Sequence, residues 1–323
     1  MLYQLFKIPA RLAIKLYCKH IYINREDVLK LNGPLLIACN HPNSFLDAVI
    51  LATLFKKPVV SLARGDAFNN KIIFKILRGL NILPVYRLSE GAENLQTNYS
   101  TFDACREIFQ KNGIVLIFSE GLCVNEWKLR PLKKGTARLA ISSWEEGIPL
   151  TILPAGINYH SFSSFGKIVR IHFGQPILQA DFPKQMSDGQ TNRFFNQKLT
   201  DALTPLIVHL DKDDTEKRKK TFNHTNALTG NPLIFLPALS GKILHAPLYV
   251  PVRYLARKLF MHTGHYDSIV TGLLFLGYPL YLLIIWLLLM FFLNTNIALT
   301  LVLIMPLLAY LYLHWKRPDY KKE

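Results

Sequence analysis

The 323-residue chain is half hydrophobic and only 19% charged, with 38 Lys and Arg against 22 Asp and Glu, a net charge of +16. That apolar content excludes a disordered or low-complexity protein, and four cysteines without a CxxC pair exclude a disulfide scaffold and read as reduced thiols. A mean hydropathy of +0.18 is high for a soluble nucleic-acid binder, so the basic, apolar balance points to a membrane surface and not to nucleic acid.

Residues 1–30 open with Lys7, Arg11, Lys15 and Lys19 at every fourth position, interleaved with Leu5, Phe6, Ile8, Leu12, Ala13, Leu16 and Tyr17. Cations that recur throughout, instead of preceding a clean apolar run, argue against a secretory signal. The pattern predicts an amphipathic helix lying in the headgroup plane, with packing on the main domain as the alternative.

Residues 31–227 alternate. Leu35–Cys39, Pro58–Leu62, Ile82–Val85, Gly113–Phe118, Leu150–Leu153 and Ile168–Phe173 read as strands, the apolar runs being those of strands buried on both faces. Ser44–Phe55, Lys71–Leu80, Thr101–Gln110, Gly135–Glu145 and Thr191–Leu210 read as helices, and Asp211–Lys220 as a solvated charged stretch. The alternation predicts an α/β domain with a mixed, mostly parallel central sheet flanked by helices.

A basic juxtamembrane segment, residues 228–267, carries Arg253, Arg257 and Lys258. Between Asp267 and His314 no side chain is ionisable in the ordinary range, and two apolar runs, Leu273–Leu293 and Ile297–Leu313, are separated by Asn294, Thr295 and Asn296. Each run is long enough to cross a bilayer, so residues 268–323 are expected to form a two-helix transmembrane hairpin with a basic tail. Cations on both flanks, including Lys316, Arg317, Lys321 and Lys322, predict that both ends face the cytoplasm.

Four clusters follow predicted strands, where α/β sheets place their chemistry. Asn40-His41-Pro42-Asn43-Ser44-Phe45-Leu46-Asp47 offers a histidine base with an orienting carboxylate. A capping box between Ser44 and Asp47 is the plain structural alternative. Leu83-Pro84-Val85-Tyr86-Arg87 ends in a guanidinium suited to phosphate or carboxylate. Phe118-Ser119-Glu120-Gly121 leads to Arg130, Lys133 and Lys134 before a helix start, a plausible anion site or a solvated basic loop. Leu153-Pro154-Ala155-Gly156 is the fourth. No Gly-x-Ser-x-Gly elbow seats a serine nucleophile, and His262-x-x-His265 lacks the partners of a metal site.

Taken in order, these four clusters resemble the four sequence blocks of the glycerolipid acyltransferase superfamily, over about residues 33–178. That superfamily includes lysophosphatidate, glycerol-3-phosphate and dihydroxyacetone-phosphate acyltransferases. The resemblance implies His41 as the general base, Asp47 as its orienting partner, and Arg87 as the phosphate ligand. It further implies Ser119, Glu120 and Gly121 around the polyol phosphate and Pro154 near the donor pocket. Lys133 and Lys134, outside the blocks, are assigned to phosphate or donor on charge alone. The implied enzyme is an integral membrane O-acyltransferase of phospholipid biosynthesis, active on the cytoplasmic face. Acyl-CoA or acyl-carrier protein would be the donor substrate, with no cofactor and no metal, and a glycerophosphate-type hydroxyl the acceptor. A lyso-aminolipid acyltransferase, a phospholipid transacylase and an inactive membrane scaffold are the alternatives. The chain differs from the common blocks in three places: five residues, Pro42–Leu46, separate His41 from Asp47 instead of four; Ser119 and Leu122 replace a proline and a hydroxyl residue; Asn81 replaces a glycine.

Overall fold

The computed structural model describes residues 2–86, 95–183, 187–261 and 263–320. Seven strands form one sheet: β1 (Cys18–Ile23), β2 (Leu35–Cys39), β3 (Val59–Arg64), β4 (Ile82–Val85), β5 (Ile114–Phe118), β6 (Thr151–Tyr159) and β7 (Lys167–Phe173), in spatial order β1-β7-β6-β2-β5-β3-β4. β6, β2, β5, β3 and β4 are mutually parallel, β7 runs antiparallel to β6, and β1 is parallel to β7. The sheet is therefore mixed and mostly parallel, as the alternation predicts.

Period-2 side-chain alternation divides the core. Leu35, Ile37 and Cys39 of β2 face one cluster, with Leu46, Ile50 and Leu51 of helix α2 (Phe45–Leu54), while Leu36 and Ala38 face another. The second contains Cys105 and Phe109 of α4 (Leu95–Gln110), Leu139 and Trp144 of α5 (Lys134–Glu145), and Phe195 and Leu199 of α6 (Asp188–Leu203).

Three elements differ from the sequence reading. The N-terminal helix α1 (Leu2–Tyr17) stops at Tyr17, and Cys18–Ile23 joins the sheet as an edge strand, so the segment 1–30 is not helical throughout. α1 packs on the domain through Tyr3, Ile14 and Tyr17, while Leu5, Ile8 and Leu12 face out. The stretch expected to be solvated contains helix α7 (Thr215–Thr221), whose Arg218 is buried. A guanidinium tolerates that burial because Nη2 donates to Tyr320 O at 2.7 Å and the group lies 5.0 Å over the Trp127 ring.

The third difference concerns the C-terminal region. Besides α9 (Tyr266–Leu289) and α10 (Thr295–Trp315), helix α8 (Phe235–Phe260) is also long and apolar enough to cross a membrane, although its sequence reads as a basic segment. Both ends of α8 are held near the α/β domain. Phe235 packs on Trp315 with ring centroids 5.5 Å apart, and Ala256 joins the first core cluster. α8 crosses α10 where Gly241 meets the Leu308 carbonyl; a Cβ there would lie 2.1 Å from that oxygen. One turn further along α8, His245 Nε2 and the Tyr278 hydroxyl of α9 lie 2.9 Å apart. The outer ends of α9 and α10 stand clear, with Phe291 and Phe292 among the most exposed large apolar side chains of the described residues.

Candidate active site

β2 and β5 end level, Cys39 pairing with Phe118, while β6 pairs with β2 as far as Ala155 and runs on to Tyr159. The residues that follow therefore meet above the middle of the sheet. Asn40 turns the chain out of β2, yet its side chain continues the ladder: Nδ2 donates to Ile157 O at 3.0 Å and Oδ1 accepts from Ile157 N at 2.8 Å. That bidentate clamp satisfies backbone groups that the departing strand would leave unpaired.

His41 comes next. Its Nδ1 lies 2.9 Å from Asp47 Oδ2, and its ring stacks on Phe118 with centroids 3.8 Å apart. Asp47 has no exposed surface and also accepts from the Asn43 amide at 2.8 Å and the Tyr159 hydroxyl at 2.7 Å. A carboxylate with three donors is held as an acceptor, which puts the imidazole proton on Nδ1 and leaves Nε2 as the free base. The His41 side chain remains 19% exposed, open to a reactant.

The additional residue between His41 and Asp47 is absorbed at Ser44, which adopts φ 54°, ψ −143°. A non-glycine residue there costs on the order of 1–3 kcal/mol and persists only when its surroundings fix it. They do: Ser44 N–H donates to Cys123 Sγ at 2.9 Å, and Ser44 Oγ lies 2.7 Å from His265 Nδ1. The side chain is thus engaged elsewhere, and the capping box with Asp47 does not form.

Glu120 closes the loop from the other side. Oε2 accepts from the His41 amide and Oε1 from the Arg130 amide, both at 2.8 Å. Burial raises its pKa above the ordinary carboxylate range, opposed by those two amides. Gly121 takes φ +63°, where a Cβ would lie 3.0 Å from Lys133 Cγ. Ser119 O accepts from the Lys133 amide at 2.8 Å, and Ser119 Oγ from Thr136 Oγ1 at 3.0 Å. Lys133 caps α5, Lys134 begins it, and both side chains are exposed.

Pro154 is a different case. It sits inside β6 opposite Ala38, and its Cβ lies beside Gly174. Its carbonyl accepts from Gly174 N at 2.9 Å, just beyond the end of the β6–β7 ladder at Ala155–Phe173, where a missing N–H breaks no strand pairing. The structure therefore joins His41, Asp47, Ser119, Glu120, Gly121 and Lys133 in one cluster, and Pro154 underlies it as part of the sheet. Arg87 lies outside the described residues, as does His262.

Several members of the cluster are not marked by local sequence. Tyr159 lies 112 residues from Asp47 in an apolar strand. Ser268 and Asp267 come from the first turn of α9: Ser268 Oγ accepts from Leu46 N at 3.1 Å and donates to Asn43 O at 2.9 Å. Asp267, buried against Lys167, accepts from the Tyr17 hydroxyl and from Asn43 Nδ2. Cys123 offers no nucleophile, because burial, then the nearby Asp47 carboxylate, pushes its thiol up to about 12.

Residues 20–158 match the family model described as Acyltransferase. That match covers most of the sheet and the His41 loop, and it agrees with the resemblance to the glycerolipid acyltransferase superfamily. A 1-acyl-sn-glycerol-3-phosphate acyltransferase of Chlamydomonas reinhardtii is 24% identical over 194 residues, 59% of this chain, which spans 55% of that relative's length. The 1-acyl-sn-glycerol-3-phosphate acyltransferase of Bacillus subtilis (strain 168) is 25% identical over 189 residues, 58% of this chain and 86% of that one. The crystal structure of the 1-acyl-sn-glycerophosphate (LPA) acyltransferase, PlsC, from Thermotoga maritima overlaps 62% of this chain and 78% of its own at 12% identity. With a TM-score of 0.45, that likeness is too loose to carry weight. The acyltransferase relatives align with little more than half of this chain, and the family model ends at residue 158, before α8 begins.

Proposed function

We propose that the chain is a membrane-bound O-acyltransferase that moves a fatty acyl group from acyl-CoA or acyl-carrier protein to the hydroxyl of a glycerophosphate-type acceptor. The observation that carries this is the His41–Asp47 pair: a partly exposed imidazole whose Nδ1 is tied to a fully buried carboxylate. Nε2 takes the acceptor's hydroxyl proton as the oxygen attacks the thioester carbonyl. The C–O bond forms, the C–S bond breaks, and the imidazolium returns its proton to the departing thiolate. No acyl-enzyme is needed, which fits a site whose nearest thiol stays protonated.

Asp47 and Tyr159 fix the tautomer. Glu120, with both oxygens on backbone amides, holds His41 in register as a positioning residue. Lys133 and Lys134 flank the start of α5, where exposed backbone N–H groups and the helix dipole favour an anion, and Arg87 is assigned to the acceptor phosphate by its place after β4. The base of α9 touches the His41 loop, so the reaction lies beside the bilayer, and the cationic flanks favour the cytoplasmic face.

The test uses the protein in nanodiscs with labelled acyl-CoA or acyl-carrier protein and four acceptors: glycerol-3-phosphate, dihydroxyacetone phosphate, lysophosphatidate and a lyso-aminolipid. Transfer to a phosphate ester is expected, falling roughly 10²–10⁴-fold in His41→Ala, the usual loss on removing a general base. An equal rate in His41→Ala, or no transfer from any donor, overturns the proposal.

A further inference from the structure

His265 stands at the junction between the reaction loop and the apolar C-terminal helices. It is the N-cap of α9, and its Nδ1 lies 2.7 Å from the hydroxyl of Ser44, the N-cap of α2. A second route reinforces the pair. Ser44 N–H donates to Cys123 Sγ at 2.9 Å, and that thiol points back at the Gly264 carbonyl, 4.0 Å away. Residues 264–265 thus grip the Ser44 side chain directly and its backbone through Cys123. His265 is itself fixed, its N–H donating to Thr263 Oγ1 at 3.3 Å and its carbonyl accepting from Ile269 N at 3.0 Å. Burial, then the nearby His41 and Arg64, lower its pKa, so at neutral pH an uncharged ring meets the hydroxyl.

Ser44 is the residue that needs such a grip. At φ 54° and ψ −143° it occupies a region open mainly to glycine, where the strain alone favours a relaxed loop roughly 5- to 150-fold. Relaxation would not stay local. Asn43, just before it, donates its amide to Asp47 Oδ2 at 2.8 Å, and the Ser44 carbonyl accepts from Asp47 N at 3.2 Å. Rotation about φ of Ser44 swings the first contact and rotation about ψ swings the second. Asp47 moves with them, and His41 Nδ1 is bonded to the same Oδ2. The strained hydroxyl is not itself placed as a nucleophile. Pro42 and Leu46 stand where a nucleophile elbow has glycines, and the amides of Ser44 and Leu46 are already bonded to Cys123 Sγ and Ser268 Oγ.

We propose that His265 is a positioning residue for acyl transfer: by holding the Ser44 hydroxyl, it keeps the His41–Asp47 loop in its reactive register. It acts through Ser44 and not on the reactants. The support comes from outside the α/β domain, since His265 lies far beyond residue 158, where the acyltransferase match ends. The additional residue between His41 and Asp47 is thus matched by a brace that the base of α9 supplies. A chain in which α9 is unseated has the base and its carboxylate without their alignment. Loss of the brace lowers the fraction of molecules with an aligned base, which lowers kcat and leaves the binding contacts of donor and acceptor in place. The inference deepens the acyl-transfer reading and rests on it.

The test is a double-mutant cycle on the full chain in nanodiscs. One hydrogen bond is worth roughly 2- to 12-fold in loop population. Ser44→Ala and His265→Ala are therefore each expected to lower kcat roughly tenfold, with KM for donor and acceptor within about twofold of wild type. His265→Asn, which keeps a polar atom near the place of Nδ1, should recover most of the loss. Ser44→Gly should recover it too, because glycine takes φ 54° without strain. On the Ser44→Gly background His265→Ala should cost less than about twofold. Lys75→Ala, on the exposed helix α3 (Lys71–Gly79), is the surface control. Unchanged kcat in Ser44→Ala and His265→Ala overturns the proposal. A Ser44→Gly variant as impaired as Ser44→Ala overturns it in favour of a reacting hydroxyl. A His265→Ala loss undiminished on the glycine background overturns the route through Ser44. Histidine-selective NMR of the same samples reads the proton between His41 Nδ1 and Asp47 without turnover. Its signal is expected in wild type and Ser44→Gly and broadened by exchange in His265→Ala; a signal equal in all three overturns the brace. A signal that follows the variants while wild type acylates no acceptor leaves the brace standing and removes the acyltransferase reading, so the two failures are distinct.

Discussion

β2 and α9 are built from the same aliphatic side chains with opposite outcomes. Leu35, Leu36, Ile37, Ala38 and Cys39 are at most 1% exposed, whereas Leu276, Leu280 and Leu283 of α9 are 70%, 58% and 47% exposed, and Leu303 and Leu307 of α10 are 69% and 56%. A buried leucine is worth about 1.5–3 kcal/mol. Five left half in water would forfeit on the order of 5 kcal/mol, comparable with the whole net stability of many domains, about 5–15 kcal/mol. The sheet is therefore complete as it stands, whereas the helices, long and apolar enough to cross a membrane, keep their apolar surface uncovered. Between the two runs a seam of polar and charged contacts, and the predictions below act on it.

The largest effect belongs to the ion pair of Lys167 on β7 and Asp267 at the start of α9, both fully buried. Lys167→Met leaves a buried carboxylate without its counter-charge and is expected to cost about 3–5 kcal/mol, read by denaturant unfolding in nanodiscs. Lys167→Met/Asp267→Asn should recover much of the loss. A single-variant cost below roughly 1 kcal/mol means α9 is seated by other contacts.

Acidification acts next. His160, packed edge-on against Tyr320, is fully buried beside Lys167, Arg218 and Lys316; burial first and those cations second lower its pKa to about 3. The unfolded chain protonates near pH 6.5 and the folded one does not, so stability is full above that value and declines as pH falls toward 3. Between pH 7 and pH 5 the loss is about 2 kcal/mol. His160→Asn, which keeps an acceptor for the Ile168 amide, should flatten that slope; an unchanged slope assigns it to other groups.

The smallest effect is Ser268→Ala. It removes the hydroxyl that bridges Leu46 N and Asn43 O, at about 1 kcal/mol of stability. Because those atoms belong to the loop carrying His41 and Asp47, kcat should fall by about tenfold with little change in donor KM, and Ser268→Thr should restore it. Equal kcat in the Ala variant and wild type would separate the hairpin from the chemistry.

Much of the sheet is legible in the sequence because β2 and β5 are unbroken apolar runs. β1 is not: Cys18-Lys19-His20-Ile21-Tyr22-Ile23 carries two cationic or titratable groups, and burial of Lys19 is tolerable only once Thr229 and the carbonyls of His314 and Lys316 surround its ammonium. α8 is hidden for a related reason, since Lys242, His245, Pro247, Pro251 and Arg253 interrupt its apolar pattern. His41 and Asp47 stand close enough in sequence for their partnership to be read directly. Tyr159 and Ser268 complete the site by tertiary contact alone, and nothing local to them distinguishes them from core residues. The five-residue spacing signals that the loop must be unusual; only the structure shows that Ser44 carries the irregularity.

The reach of Lys19 has a further consequence, one of timing. Its ammonium joins the first strand to carbonyls almost three hundred residues later, at the end of the last helix. That contact partner is made only after α9 and α10 have been made. Edge strand β1 therefore keeps its lysine in water until α10 has docked, so the edge of the sheet closes later than its centre.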